Sequence, residues 1–135
     1  MGDRVIALYG GVWNETGGLR IVNPEAGSAA FRVSATDNDA GDAVSAYTIN
    51  DICALAGADS PFIVKIDIEG AQISLFKSNT DWVAATHLIM LELDDWLMPW
   101  QGTSRPFFTC VSQYSYDYLI SGETIFCFQD FKQPL

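Results

Sequence analysis

Pro61-Phe62-Ile63-Val64-Lys65-Ile66-Asp67-Ile68-Glu69-Gly70-Ala71 is the stretch that decides how this chain folds. Its nearly continuous apolar run has the length of a strand and predicts one over residues 62–68, buried on both faces as strands of a parallel sheet are. Gly70 permits a tight turn, and a helix over 71–77 returns across the sheet. In open α/β sheets the chemistry gathers at the carboxyl ends of the strands, which makes Asp67 and Glu69 candidate site residues.

Downstream, residues 87–93 read as a second strand, parallel to the first because a helix intervenes. Alternation puts Ile63, Lys65 and Asp67 on one face of the first strand, and Leu88, Met90, Glu92 and Asp94 on one face of the second. Lys65, Asp67 and Glu92 can then converge at the carboxyl edge. Two readings stand side by side: a site in which Asp67, Glu69 or Glu92 serves as a general base toward a hydroxyl, or a self-satisfied buried ion cluster.

Upstream, Thr48 and Asp51 have the spacing of a capping box, and Ile49, Ile52, Cys53 and Ala56 recur on one face of the helix that follows. Gly57 ends it. Earlier still, strands are predicted over 4–8, 19–23, 30–34 and 43–47, with a β-hairpin turned at Pro24-Glu25-Ala26-Gly27. The acidic stretch 36–42 reads as a solvated turn, since it lacks the oxygen spacing of a calcium loop. Beyond Trp96 the chain is rich in aromatics, with a helix over 104–112 and a closing strand over 124–129. Trp96, Met98 and Trp100 either line a pocket or cover the end of the sheet. No repeat or linker interrupts residues 1–135, which form one α/β domain of mixed sheet with central parallel strands and an N-terminal β-hairpin region.

Composition narrows the function classes. With 49% hydrophobic and 18% charged residues, 135 residues can bury a core. A net charge of −10, with only seven Lys plus Arg, excludes a nucleic-acid partner on electrostatic grounds. No apolar run reaches a membrane-spanning length, and Met1-Gly2-Asp3-Arg4 has no leader character, so a soluble, cytoplasmic protein is expected. Cys53, Cys110 and Cys127 are odd in number and set among apolar residues, as buried thiols are; no metal site is expected. His87 reads as a structural or surface histidine.

Four blocks, taken in order, resemble the FkbM-type methyltransferases: Tyr47-Thr48-Ile49-Asn50-Asp51-Ile52, the stretch 61–71, Ile89-Met90-Leu91-Glu92-Leu93-Asp94-Asp95-Trp96, and Gly122-Glu123-Thr124-Ile125-Phe126. The resemblance implies a Rossmann-like sheet with strands in the order 3-2-1-4-5-7-6, S-adenosylmethionine as cofactor, and O-methyl transfer to a small-molecule or sugar hydroxyl. Within that family the Asp after the fourth strand borders the cofactor and acceptor pocket, the place Asp67 holds here. The chain departs from the pattern at Gln72, where a second acid is frequent, and at Asp94-Asp95, where the family often has His.

Nothing before Pro61 matches the family's glycine-rich cofactor turn or its ribose-binding acid. The resemblance therefore covers the later part of the family's domain, and S-adenosylmethionine is expected to bind this chain weakly or not at all. It also implies that the strand over 62–68 lacks its usual neighbour. The early strands, a second copy in a homodimer, or the rest of a longer chain would have to cover that edge. A rival reading is a non-catalytic assembly domain derived from the same fold.

Overall fold

The computed structural model describes residues 4–22, 33–36, 41–68 and 70–130, which form an α/β arrangement of two mixed four-stranded sheets and four helices. The first sheet contains β1 (Gly11–Val12), β2 (Gly17–Ile21), β3 (Val33–Thr36) and β4 (Val44–Tyr47), in the order β1-β4-β2-β3. β1 runs parallel to β4, whereas β2 is antiparallel to both of its neighbours. Residues 5–8 lie outside any strand, contrary to the sequence expectation, and Val5, Ile6 and Tyr9 are exposed. With no burial to gain, their apolar character selects no sheet position. The proposed turn at Pro24–Gly27 lies outside the described residues, as does most of the acidic stretch at 36–42.

Helix α1 (Ile49–Ala56) links the sheets and begins as its sequence dictates. The Thr48 hydroxyl accepts from the amide of Asp51, and the Asp51 carboxylate accepts from the amide of Thr48, which holds that carboxyl below the usual carboxylate range. Gly57 closes the helix in the left-handed conformation. Ile49 and Cys53 turn inward, while Ala56 is exposed.

The second sheet positions the site. It comprises β5 (Ile63–Ile66), β6 (Leu88–Glu92), β7 (Tyr116–Ser121) and β8 (Thr124–Gln129), in the order β5-β6-β8-β7. β5 and β6 are parallel, with Ile63 opposite Leu88 and Ile66 opposite Leu91; β8 is antiparallel to β6 and to β7. Between β5 and β6 the chain forms two single turns, α2 (Gln72–Leu75) and α3 (Trp82–Ala85), in place of the one helix expected over 71–77. Asn79, at φ 53, stands between them in the left-handed region. After β6, α4 (Arg105–Val111) carries Pro at its start, where a missing N–H costs nothing.

β7 has no counterpart among the elements expected from sequence, which assigns none to the aromatic stretch of Tyr116 and Tyr118. Its strand character rests on pairing with β8 across the short turn at Gly122, φ 61. The expectation of a strand buried on both faces is also corrected. β5 is an edge strand whose Ile63 is 51% exposed, and its outer edge meets no strand among the described residues. β2 pairs with β3 on one side and with β4 on the other, so the early strands are not its cover.

The core lies against the second sheet. Leu75, Phe76, Trp82, Val83, Phe107 and Val111 from the helical segments pack on Ile66, Ile89, Leu91, Ile125 and Cys127. Phe107 meets Phe76 edge-on, ring centres 5.2 Å apart, a favoured aromatic geometry. Buried Tyr116 reaches the carbonyls of Val83 and Thr86, at 2.7 and 2.8 Å, which ties β7 to α3. All three cysteines are buried and free, as their apolar settings imply.

Candidate functional site

Two concavities flank the carboxyl half of β5, and they differ in chemistry. On the outer edge is a broad groove of about 400 Å³, lined chiefly by apolar side chains of β5, α1 and β1, including Val12, Ile52, Ile63 and Val64. At the carboxyl ends of β5 and β6 is a small polar cleft of about 40 Å³, lined by Asp67, Gln72, Glu92, Asp94 and Glu123 among others. The second is where an α/β sheet ordinarily carries its chemistry.

Each cleft residue is delivered by a definite local feature. Asp67 leaves the end of β5, and Glu92 is the last residue of β6. Gly70, at φ 70, makes the turn after β5 in a conformation that side chains other than glycine adopt only with strain. Its amide donates to Asp94 Oδ2 at 2.9 Å, so the turn after β5 and the segment after β6 are clasped together. Gln72, at the first position of α2, donates from Nε2 to the Glu92 carbonyl at 3.3 Å, which fixes which end of its amide is oxygen. Glu123 comes from the β7–β8 turn, held in place by its carbonyl, which accepts from the Leu93 amide at 2.9 Å.

This arrangement leaves two oxygens without partners. Gln72 and Asp94 are 2% and 5% exposed, yet Gln72 Oε1 and Asp94 Oδ1 make no hydrogen bond among the described residues. Buried acceptors left open cost on the order of 1–3 kcal/mol each, so their presence calls for a donor.

Of the sequence candidates, Asp67 and Glu92 share the cleft, and Glu69 lies outside the described residues. Lys65 does not join them there. Its Nζ stands 3.4 Å from Asp67 Oδ2 in an exposed pair lining the outer groove, so the alternative of a buried ion cluster is set aside for these two residues. Asp94, Gln72 and Glu123 complete the cleft, and sequence reasoning had not ranked them as site residues. The signal for Asp94 was available in the alternation Glu92-x-Asp94, and for Gln72 in its place two residues after the turn glycine.

The aromatic segment divides between its two readings. Trp96 and Leu97 line the cleft, Met98 is buried over Gly70, and Trp100, at φ 68, is fully exposed and covers nothing. Asp95 points elsewhere: the Ser104 hydroxyl beside it holds its carboxyl below the usual range, and the pairing secures the chain entering α4. His87 stacks on Phe62, ring centres 5.1 Å apart, at the opposite end of the strands from the cleft.

The glycine pair Gly10-Gly11 has a packing explanation. A Cβ on Gly10 would stand 2.4 Å from the Ser45 carbonyl oxygen and 2.7 Å from the Tyr47 ring, and one on Gly11 would stand 2.6 Å from a Leu19 methyl. Close approach to the Ser45 backbone demands glycine at position 10, while at Gly11 the end of the Leu19 side chain would have to shift. Among the described residues no helix is long and apolar enough to cross a membrane. Compared with family models, with curated proteins and with solved structures, the chain matches none.

Proposed function

We propose that this chain is the acceptor-binding part of an FkbM-like methyltransferase fold, with the cleft of Asp67 and Glu92 receiving a small-molecule or sugar hydroxyl. The observation that carries this reading is the meeting of those two carboxylates at the ends of adjacent parallel strands, in one cleft with Asp94. The order β5-β6-β8-β7 supports it, because it reproduces the last four places, 4-5-7-6, of the Rossmann-like methyltransferase sheet. In this role Asp67 or Glu92 accepts the proton of a bound hydroxyl, while Asp94 and the Gly70 turn hold the two strand ends in register.

The described residues do not fit S-adenosylmethionine. Its family cradle requires glycine amides free to face the ligand at a helix N-terminus, whereas Gly10 and Gly11 are pressed against β4 and Leu19 and lead into a strand. The part assigned to this chain is therefore to bind and orient the acceptor. A titration followed by amide NMR tests the reading. Neutral and amino sugars are expected to shift resonances of the cleft, Asp67→Asn with Glu92→Gln to weaken that response, and S-adenosylmethionine to bind no tighter than roughly 10 μM, about −7 kcal/mol. Absence of any sugar response at the cleft would sink the acceptor role, and tight cofactor binding would overturn the assignment of a part.

One observation favours a second reading, an assembly role. The outer edge of β5 is unpaired among the described residues, and Phe62 and Ile63 beside it are 69% and 51% exposed. We propose that a second copy pairs there about a two-fold axis, since an antiparallel β5–β5 contact is self-complementary and would close both edges at once. Sedimentation equilibrium at micromolar concentration is expected to give twice 14.8 kDa. The dimer should tighten with added salt, which screens the repulsion between two chains of charge −10. A single species of monomer mass at every salt concentration excludes it.

A further inference from the structure

We infer that the cleft at the carboxyl ends of β5 and β6 selects a protonated primary amine, so that the small molecule it takes carries an ammonium group, as an amino sugar does. The inference rests on the reading of the cleft as a small-molecule site and names the chemistry that such a site would choose. Its basis is the donor and acceptor inventory of the walls. Gln72 Oε1 and Asp94 Oδ1 are buried acceptors with no partner among the described residues, and both side chains line the cleft. The NH₂ group of Gln72 is held by the Glu92 carbonyl through one of its two N–H bonds, which leaves Oε1 as the open acceptor of that amide. Asp67, Glu92 and Glu123 add further carboxylates to the rim, and among the described residues no Lys or Arg lines it.

An ammonium group offers three protons and no lone pair, the complement of such a wall. A neutral hydroxyl offers one proton and turns its own lone pairs toward the acceptors. A single water would meet two open oxygens, but would leave the negative charge of Asp94, Glu92 and Glu123 uncompensated, since among the described residues Lys65 pairs with Asp67. A divalent cation fits less well. Among the described residues no group of three or more His, Cys, Asp or Glu side chains is placed to hold a metal ion. Magnesium bound by fewer ligands would have to bring several of its own waters into a cleft of about 40 Å³. The same volume does suit the end of a –CH₂NH₃⁺ or –CHNH₃⁺ group, with the remainder of the molecule leaving past Trp96 and Leu97.

The experiment is an amide NMR titration of the whole chain at about pH 6, where a primary amine is protonated, with glucosamine, N-acetylglucosamine, glucose and magnesium chloride as separate ligands. Glucosamine is expected to shift the Gly70, Gln72 and Asp94 amides saturably, and at least about tenfold more tightly than glucose or the N-acetyl sugar, which differ from it at one substituent. Asp94→Asn retains an oxygen for the Gly70 amide and converts the open acceptor to a donor; it is expected to abolish the preference for glucosamine. Equal affinity for all three sugars overturns the amine and leaves the small-molecule site standing. A response of the same amides to magnesium but not to glucosamine overturns it in favour of a hydrated ion. Silence from every ligand means that the cleft holds only water, and both the amine and the acceptor site fall together.

Discussion

The two sheets of this protein have equal numbers of strands but unequal means of support. The second sheet has the apolar wall of Phe76, Trp82, Phe107 and Val111 on it, whereas the first contributes Leu19 and Ala46 as its buried hydrophobic residues among those described. The first sheet is joined to the remainder largely by polar links: Thr16 donates to Asp51, Asn14 donates to Ser78, and Asn79 donates to the Asn14 carbonyl. Water competes for such bonds, which are worth about 1 kcal/mol each, while burial of a large aromatic contributes several times that. The sheet bearing the cleft is therefore expected to be the more stable body, with the first sheet, through Val12 and these polar links, its weaker attachment.

The sharpest way to break this comparison is to weaken each sheet at its most buried side chain. Phe107→Ala should cost about 3–5 kcal/mol in urea unfolding, because a wholly buried ring leaves a cavity that its neighbours cannot fill. Leu19→Ala, equally buried, should cost about 2–3 kcal/mol, the low end for such a change, because the thin first sheet can close around the gap. Equal costs would mean that the two sheets share one cooperative unit and that the contrast is false.

A pH titration sharpens it from another side. Burial pushes the Cys127 thiol up to about 12 from its ordinary 9.0, and the Cys53 and Cys110 thiols and the Tyr116 and Tyr118 hydroxyls are raised for the same reason first. The folded state therefore favours the neutral thiol. The stability linked to Cys127 is fully present below about pH 9, and is lost progressively as the unfolded thiol ionises, between about pH 9 and about pH 12. Urea midpoints should fall across that window, and Ellman's reagent at pH 8 should leave Cys127 untouched until the second sheet opens. Rapid labelling of all three thiols in the folded protein would show that the wall is looser than its burial indicates.

The smallest effect belongs to the first sheet's surface. Arg20 and Asp42 pair at 3.1 Å with both side chains largely exposed, so Arg20→Met should change stability by less than about 1 kcal/mol. A larger loss would mean that the attachment relies on its rim charges.

What the sequence made legible follows the same division. The parallel pair β5 and β6, the Thr48 cap, α4 and β8 were readable because period, capping chemistry and apolar runs all pointed one way. β7 was not, since five of its six side chains are exposed and only its partner β8 defines it as a strand. The split of the crossover into α2 and α3 was hidden for a related reason: Asn79 takes a left-handed conformation that no short apolar pattern announces. In the site, Asp67 and Glu92 could be found by strand alternation alone. For Asp94 the alternation with Glu92 and for Gln72 its place after the turn glycine were weak signals, and Glu123 had none, because all three reach the cleft through turns whose geometry depends on tertiary contact, above all the Gly70 amide on Asp94.

The order β5-β6-β8-β7 also bears on time. β7 and β8 are joined by a short turn and can pair as soon as both exist, while β5 must find β6 across two separate helical turns, a slower search with a larger loss of chain entropy. Assembly should begin at the hairpin, extend to β6 and reach β5 last, and spontaneous opening should run the same sequence backwards. The amides of β5 should then exchange with deuterated water before those of β8, and each such opening would dismantle the cleft while the hairpin that supplies Glu123 stays closed.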